Sequence, residues 1–497
     1  MNDLIVIGGG VAGLVAAWQA AEAGREVTLL EARDVLGGPV SEHVLAGLEL
    51  DAGTESFATR GGRVAKMLEQ LGLSDAVVEP NPAGAWVGFR DAASELNSVP
   101  GSNQAVGSFR AEPLPATGLL GIPGDLDAAD LLRVLDAPGL ARAQRDRDLP
   151  AEVGADAASL GDLVEQRMGR TVVERLVTPV AGGVYSADPY TIQVDAVAPG
   201  LRDQLLRTGS LAAAVHHLRS QAAPGSAVRS LKGGMHVLVR RLKERIEAAG
   251  GRVITANPVR SIHALSAEQV PQSADGVRYA VETDGEAFET RSLVVATEAE
   301  AALPLLAGLA PELGEVTWPA PATVTLVTLV VDAPALDELP RGTGILIAPD
   351  APDVVAKAMT HASAKWRWAA QAAASGHPGR HLLRLSYGHA GAPSELSDEQ
   401  LRRQAVADAR VITGVDFADD AVVGTAVHVW RNAQPYRESP QTDRAIDVLT
   451  APGSGLAVVG SWRSGTGLAS VMPQAYDTVR KLLNDDVATA AQTHRRD

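Results

Sequence analysis

Leu4-Ile-Val-Ile-Gly-Gly-Gly-Val-Ala-Gly-Leu-Val-Ala-Ala-Trp18 is the stretch that decides the fold. Four apolar residues read as a buried strand, the glycines as a turn, and the Ala-rich run from Val11 to Ala23 as a helix packed on a sheet. Gly24 stops that helix, and Glu26-Val-Thr-Leu-Leu30 reads as a second strand, so the chain opens as a βαβ unit. Gly8, Gly10 and Gly13 form G-x-G-x-x-G at the strand–helix turn. The first glycine permits the tight turn, the second lets a pyrophosphate approach the backbone, and the third lets helix and strand pack closely. Val11 and Ala12 open the helix, whose unpaired N–H groups face an anion. Glu31 ends the second strand, 18 residues after Gly13, where a carboxylate accepts both hydroxyls of a ribose. Strand, glycines, helix and acid in register predict a bound dinucleotide.

The rest of the composition bounds what surrounds this unit. At 497 residues the chain predicts two or three domains. Its net charge of −16 argues against a non-specific nucleic-acid binder, because phosphate binding needs a positive surface. Aromatics make up only 4%, so the core rests on Ala, Val and Leu. The absence of cysteine removes disulfides, thiolate metal sites, Cys nucleophiles and any cofactor linkage through sulfur, and fits a cytoplasmic protein. No apolar stretch reaches the roughly 18 residues of a membrane span, which leaves at most peripheral membrane contact.

Along the chain, Asn97–Val106 carries little pattern and reads as part of an irregular insertion. Helical periodicity returns over Ser159–Val177, over residues 201–221 and over Gly233–Ala249. Strands are predicted at Arg252–Ile254, Tyr279–Thr283, Ala287–Ala296, Thr323–Val331, Leu382–Tyr387, Ala421–Trp430 and Leu456–Gly460, with a last helix over Ser470–Leu483 and a frayed polar end after Asp485. The fold class is α/β, α+β overall: a Rossmann-type nucleotide domain of discontinuous segments, a mixed-sheet substrate domain and a helical insertion. The expected boundaries are 1–88, 211–300 and 431–485 for the nucleotide domain, 89–210 for the insertion, 301–430 for the substrate domain, and 486–497 for a flexible tail.

Glu31-Ala32-Arg33 followed by Gly37-Gly38 resembles the second half of the fingerprint in FAD enzymes of the amine oxidase and protoporphyrinogen oxidase superfamily. Asn257-Pro-Val259, Leu293-Val-Val-Ala-Thr297 and Val458-Val-Gly-Ser-Trp462 with Gly465-Thr-Gly-Leu-Ala-Ser470 resemble further segments of it. A narrower resemblance is to the bacterial porphyrinogen oxidases: protoporphyrinogen oxidase and the oxygen-dependent, coproporphyrin-forming coproporphyrinogen III oxidase. It rests on Ala52-Gly-Thr-Glu-Ser-Phe57, Leu114-Pro-Ala-Thr-Gly-Leu-Leu-Gly-Ile-Pro123, Val173-Glu-Arg-Leu-Val-Thr-Pro-Val-Ala-Gly-Gly-Val-Tyr185, Leu231-Lys-Gly-Gly-Met235, Lys365-Trp366, Leu382–Gly388 and Trp430–Tyr436. The sequence departs from that pattern at Pro39, where a basic residue is usual, at Ser461, where Asp is usual, at Glu298, where Pro is common, and at Ala433-Gln-Pro-Tyr436, where the family has Met-Pro-Gln-Tyr.

The resemblance implies non-covalent FAD. Its cofactor contacts would be Gly8, Gly10, Val11, Ala12, Gly13, Glu31, Ala32, Arg33, Gly37, Gly38, Gly53, Thr54, Val259, Thr297, Gly460, Ser461, Gly467 and Leu468. The helix N-terminus near Gly467 would stabilise negative charge on the flavin N1–C2=O edge. The implied activity is aromatisation of coproporphyrinogen III, by hydride transfer from a bridging carbon to flavin N5 and reoxidation by O2, three rounds giving three H2O2. No side-chain base stands out. The Gly182-Gly183 bend would pass close to the tetrapyrrole, with the Gly183 backbone facing it. Substrate propionates need cations, and with 38 Arg against 6 Lys arginines are the available anchors; the candidates are Arg60, Arg63 and the weaker Lys357, whereas Arg384, inside a strand, reads as a buried structural pair. A downstream heme-pathway enzyme would receive the porphyrin. Protoporphyrinogen IX oxidation is the nearest alternative. A flavin amine oxidase shares the glycine motifs but calls for an aromatic cage; a carotenoid-type desaturase and a flavin-free binding protein like the GDP dissociation inhibitors fit less well. His216-His217 face different ways on a helix with no accompanying ligand motif, so no metal is predicted.

Overall fold

The computed structural model describes residues 2–91, 108–115, 118–185, 187–221, 227–265, 277–318, 322–388, 394–434 and 440–493. The irregular segment Asn97–Val106, Tyr436 and residues 494–497 lie outside them, as do Ala116 and Thr117 of the Leu114–Pro123 segment.

Leu4-Ile-Val-Ile7 is apolar at every position because both of its faces are covered. Leu4 and Val6 pack under the helices Val11–Glu22, His236–Ala248 and Leu468–Thr493. Ile5 and Ile7 pack on the opposite side with Leu303 and Leu306 of the helix Ala299–Leu306. The strand Asn2–Ile7 pairs in parallel with Val27–Leu30 on one side and Ala287–Val295 on the other. Arg252–Ile254 extends the sheet beyond Val27–Leu30, and Leu456–Val458 joins the end of Ala287–Val295, both in parallel. Tyr279–Thr283 and Val259–Ala264 complete the seven strands in antiparallel fashion. The first helix is alanine-rich because it is squeezed: Ala16, Ala17 and Ala20 are fully buried, and a Cβ on Gly13 would stand 1.9 Å from the Gly8 carbonyl oxygen.

A second seven-stranded sheet runs in the order Val422–Gln434, Ala322–Asp332, Arg380–Tyr387, Ala358–His361, Gly344–Ile347, Trp86–Arg90 and Phe109–Pro113. All neighbours are antiparallel except Gly344–Ile347 and Trp86–Arg90. The helix Asp398–Thr413 covers one face; Ser397 and Gln400 form a capping box at its start, and Gly414 ends it in the left-handed region. The expected boundary at 88 therefore cuts a strand, since Trp86-Val-Gly88 is already paired in this second sheet.

A third, helical unit is centred on Leu131–Ser220. The helix expected over 159–177 breaks at Gly169, φ 92°. It resumes through Arg170–Val172, a wide π-type turn at Val173–Val177 and the helix Thr178–Tyr185. The helix expected over 201–221 divides into Leu201–Thr208 and Leu211–Ser220 at Gly209-Ser210. Leu211, Ala214 and Val215 are buried in this unit's core, so the return to the first sheet comes after the boundary expected at 211. The polar end expected after Asp485 instead continues the last helix to Thr493; Ala488, Ala490, Ala491 and Gln492 are good helix formers, with no Gly or Pro among them to stop it. Among the described residues no helix is long and apolar enough to cross a membrane.

Candidate cofactor and substrate site

The glycine turn, the second strand end and two distant segments meet at the C-terminal ends of the parallel strands of the first sheet. Glu31 is 8% exposed and accepts hydrogen bonds from Gly9 N (2.6 Å) and Arg33 N (2.8 Å). A carboxylate has about four lone-pair sites, so both oxygens keep capacity for a ribose. Gly37 N donates to the Gly9 carbonyl at 2.8 Å, and Gly10 bridges Gly37, which lays Gly37-Gly38 against the first glycine turn. Both have positive φ, 101° and 58°. Arg33 is half exposed, its Nε 3.7 Å from Glu31. Ala256 N and Asn257 N donate to the carbonyls of Arg33 and Glu31, which docks the turn before Val259 beside Ala32.

Thr297 joins the two ends of the chain. Its neighbourhood closes on Gly8, where a Cβ would meet the Ala296 carbonyl oxygen at 2.9 Å and Thr297 Cγ2 at 3.1 Å. Its carbonyl accepts from Trp462 Nε1 at 2.9 Å, two residues beyond Gly460. Gly460 adopts φ 129° and caps the short helix Ser461–Ser464; Gly467, φ 88°, precedes the long helix whose Leu468 is buried with Val11 and Ala12. Among the described residues the Ser461 hydroxyl takes no hydrogen bond.

These residues fit a dinucleotide. The helix Val11–Glu22 has no side-chain cap, and a Cβ at its N-cap, Gly10, or at Gly467 would meet nothing within 4 Å. Open space at these two glycines contrasts with Gly8, Gly9 and Gly13, which the protein itself crowds. The Thr297 hydroxyl oxygen is buried without a partner, and such groups call for an acceptor or donor that the protein does not supply. Pro39 is accommodated at the start of a short turn, where no N–H is needed, and its carbonyl accepts from Thr54 N at 2.6 Å.

The loop Ala52–Glu55 connects this cradle to the second sheet. Trp430 Nε1 donates to the Ala52 carbonyl at 2.9 Å, and Arg384 donates to the Gly53 carbonyl. A Cβ on Gly53 would stand 2.3 Å from the Pro39 carbonyl oxygen and 3.1 Å from the Trp430 ring. Glu55 is bonded by Lys365 and, at 3.3 Å, by Arg384. Burial pushes the Glu55 carboxyl up, but the Lys365 and Arg384 charges outweigh it and hold it below the ordinary carboxylate range.

Strand alternation gives the second sheet two unlike faces. Ile345, Met359, Leu383, Leu385 and Tyr387 are buried under the helix Asp398–Thr413. Between them, Leu346, Ala358, Thr360, Arg384 and Ser386 are only half-buried and share the other face. Arg384 ties that face to the glycine cradle, and Leu346 ties it to the helical unit, since a Cβ on Gly183 would meet Leu346 Cδ2 at 2.8 Å. This face is the floor of the candidate substrate site, bounded by the cradle on one side and the helix Thr178–Tyr185 on the other.

The expected propionate anchors are placed unevenly. Arg60 is exposed. Arg63 forms a two-pronged ion pair with Asp477 of the last helix, at 2.5 and 2.7 Å, so the protein itself occupies it. Lys357 is 5% exposed, its backbone bonded to Ile347 and Ser386, and burial lowers its ammonium to about 8. Gly182 and Gly183 lie within a helix rather than at a bend, because the π-type turn just before them carries the chain on without a break. A Cβ on Gly182, not on Gly183, would meet nothing within 4 Å. Arg384 does sit in a structural pair. Sequence reasoning missed Glu55 and Lys365 as a pair; the only signal was their occurrence in two family-like segments far apart in the chain.

The candidate cradle on one doubly covered sheet, the half-buried face of the second and the helical unit beside it make up an oxidoreductase of the flavin-dependent class. The chain belongs to the flavin containing amine oxidoreductase family, which it matches over residues 11–480. It is 29% identical over 487 residues to coproporphyrinogen III oxidase of Mycobacterium tuberculosis, with 96% of each chain covered. Its fold is similar to that of a protein from Exiguobacterium sp. 255-15 provisionally assigned as a protoporphyrinogen oxidase (TM-score 0.75, 23% identity, 96% of this chain and 98% of that one). It is also similar to cyclohexylamine oxidase from Brevibacterium oxydans (TM-score 0.61, 14% identity, 97% and 99%). The chain is an oxidoreductase of this family, and its cofactor is a flavin.

Proposed function

We propose that the protein oxidises coproporphyrinogen III to coproporphyrin III with bound, non-covalent FAD, passing six electrons and six protons to three O2 to give three H2O2. The observation that carries this reading is that the similarity to coproporphyrinogen III oxidase spans 96% of both chains, substrate floor and helical unit included. Gly10, Val11 and Ala12 would meet the FAD diphosphate, Glu31 the ribose, and Thr297 and Ser461 further polar atoms. When bound, the flavin supplies hydride acceptance and reaction with oxygen.

The protein's own part is to bind, orient and exclude water. The floor of Leu346, Ala358, Thr360 and Ser386 offers a mostly flat apolar surface with two hydroxyls and one already neutralised charge, Arg384. A broad tetrapyrrole can lie on it. Its carboxylates have no unpaired cation there among the described residues, and the exposed Arg60 remains the candidate to meet them. The helix N-terminus after Gly467 would stabilise negative charge on the flavin through its dipole. The protein would act in the cytoplasm, and a heme-pathway enzyme would take up the product.

The test is to supply the aerobic, flavin-loaded protein with coproporphyrinogen III and, separately, protoporphyrinogen IX, and to follow porphyrin fluorescence against a no-enzyme control. Faster turnover of the first is expected. Preference for the second would make it a protoporphyrinogen oxidase, and turnover of neither, with activity on a primary amine, would overturn the reading.

A further inference from the structure

Beneath the loop Ala52–Glu55 lies a β-hairpin, Glu42–Leu45 paired with Leu48–Asp51. Glu42, Val44, Glu49 and Asp51 share one of its faces, because Val44 stands opposite Glu49 and Glu42 opposite Asp51. The helix His236–Ala248 begins against this face. Asp51 is 6% exposed and caps that helix, accepting from Met235 N and His236 N at 2.9 Å each. The same carboxylate faces His236 Nδ1 at 2.9 Å.

That contact fixes the imidazole. Nδ1 is the donor in that contact, which leaves Nε2 as the ring nitrogen turned the other way. His236 is 2% exposed, and among the described residues its Nε2 takes no hydrogen bond. It points toward Glu42, whose Oε2 is 3.8 Å away, and the ligand atoms of Glu42, Glu49 and His236 all lie within 4.8 Å of one another. A buried histidine whose Nε2 faces two carboxylates, with a third carboxylate behind the ring, is the arrangement that orients a metal-ligating histidine.

The position between the two glutamates already holds positive charge. Arg240, one helical turn after His236, places a single Nη2 at 2.5 Å from Glu42 and 3.0 Å from Glu49. Its side chain is half exposed, so it can swing into solvent. One imidazole and two carboxylates suit a divalent transition ion, with water completing the shell. The His236–Glu42 separation of 3.8 Å has to shorten by only about half an ångström to match ligands held at roughly 2.0–2.2 Å around a tetrahedral ion.

We propose that His236 Nε2, Glu42 and Glu49 form a binding site for a divalent transition-metal ion such as Zn2+, with Asp51 orienting the histidine and Arg240 holding the site when no ion is bound. The ion pins the hairpin to the helix start, below the loop that carries Gly53. This reading is independent of the redox activity.

The test is calorimetric titration of the EDTA-treated, flavin-loaded full-length protein with Zn2+, in wild type and in Glu42→Gln, Glu49→Gln and Arg240→Ala variants. All three substitutions fall on exposed side chains, and retained flavin content checks the fold. One zinc per chain is expected, weakened roughly tenfold or more by either glutamine variant. Arg240→Ala is expected to tighten binding, by up to about fivefold, because it removes a surface ion pair that competes with the ion. A structural ion-pair network alone would give the opposite pattern: no saturable zinc binding in wild type or in Arg240→Ala overturns the proposal. Stoichiometric binding that both glutamine variants leave unchanged overturns it too, since the ion would then sit elsewhere.

Discussion

Arg384 reaches from the floor of the second sheet to the carbonyl of Gly53 and the carboxylate of Glu55 in the loop that touches the nucleotide cradle. One side chain thus sets the distance between the two halves of the site. Lys365 shares the same carboxylate. Glu55→Gln leaves two cations facing a neutral amide in a mostly buried place. It is expected to cost on the order of 3 kcal/mol, read as a fall in the urea midpoint at pH 7. Glu55 titrates below its ordinary value of 4.5 when folded, so its stabilisation is complete above that value and is lost as pH falls through the folded one. The gap between wild type and variant should therefore narrow under acid; a gap that stays constant down to pH 3 would contradict the assignment.

Gly10 and Gly13 separate binding from folding. Gly10 has φ −68° and open space at its Cβ position. Gly10→Val should leave the melting temperature of the flavin-free protein nearly unchanged. It should weaken FAD by at least about tenfold, the equivalent of 1.4 kcal/mol, measured by flavin fluorescence titration. Gly13→Ala collides with the Gly8 carbonyl at 1.9 Å and should lower yield and stability before any cofactor is added.

Two imidazoles make the protein acid-sensitive well above the carboxylate range. Burial, aided by the neighbouring His428 charge, lowers His43 to about 4, and burial with His381 lowers His361 to about 3, from 6.5. Both are depressed in the folded state, so the unfolded chain binds more protons below pH 6.5, and stability falls as pH drops from there toward each folded value. Between pH 6.5 and 5 the loss is expected to be roughly 1–2 kcal/mol for each histidine. Denaturant midpoints across that window should flatten in His361→Gln; an unchanged slope would rule His361 out as the source.

Gly182 and Gly183 differ in what they face. A methyl on Gly183 meets Leu346 at 2.8 Å, whereas one on Gly182 meets nothing within 4 Å. Gly183→Ala is expected to push Leu346 into the floor and raise KM for the porphyrinogen several-fold while flavin content stays constant. Gly182→Ala should reduce kcat/KM only if substrate itself fills the open side, so stopped-flow and steady-state comparison of the two variants locates the macrocycle.

Much of the first sheet was legible because its signals are local. The apolar run Leu4–Ile7, the glycine spacing and Glu31 all lie within one βαβ unit, and period and turn chemistry read such units directly. Strand positions in the second sheet were legible from β-branched runs such as Thr323–Val331, observed as Ala322–Asp332. The strand Trp86–Arg90 was not foreseen, and the boundary expected at 88 cuts it, because its pairing depends on Gly344–Ile347, more than 250 residues away. The Glu55–Lys365–Arg384 cluster was hidden for the same reason, its members being 310 and 329 residues apart. Arg63 looked available as an anchor because sequence cannot show that Asp477, on the last helix, would take it.

The parallel pairing of Leu456–Val458 with Ala287–Val295 has a consequence for biosynthesis. The turn that begins at Gly8 is completed by Thr297 and by Gly460, so a chain leaving the ribosome holds an unfinished cradle until Gly460 has been made. Nascent intermediates would expose the apolar edge of Ala287–Val295 throughout that interval, and cofactor could be captured only at the end. Cofactor binding is thereby coupled to the closing of the sheet by Leu456–Val458, and bound cofactor would stabilise chains in which that strand has joined.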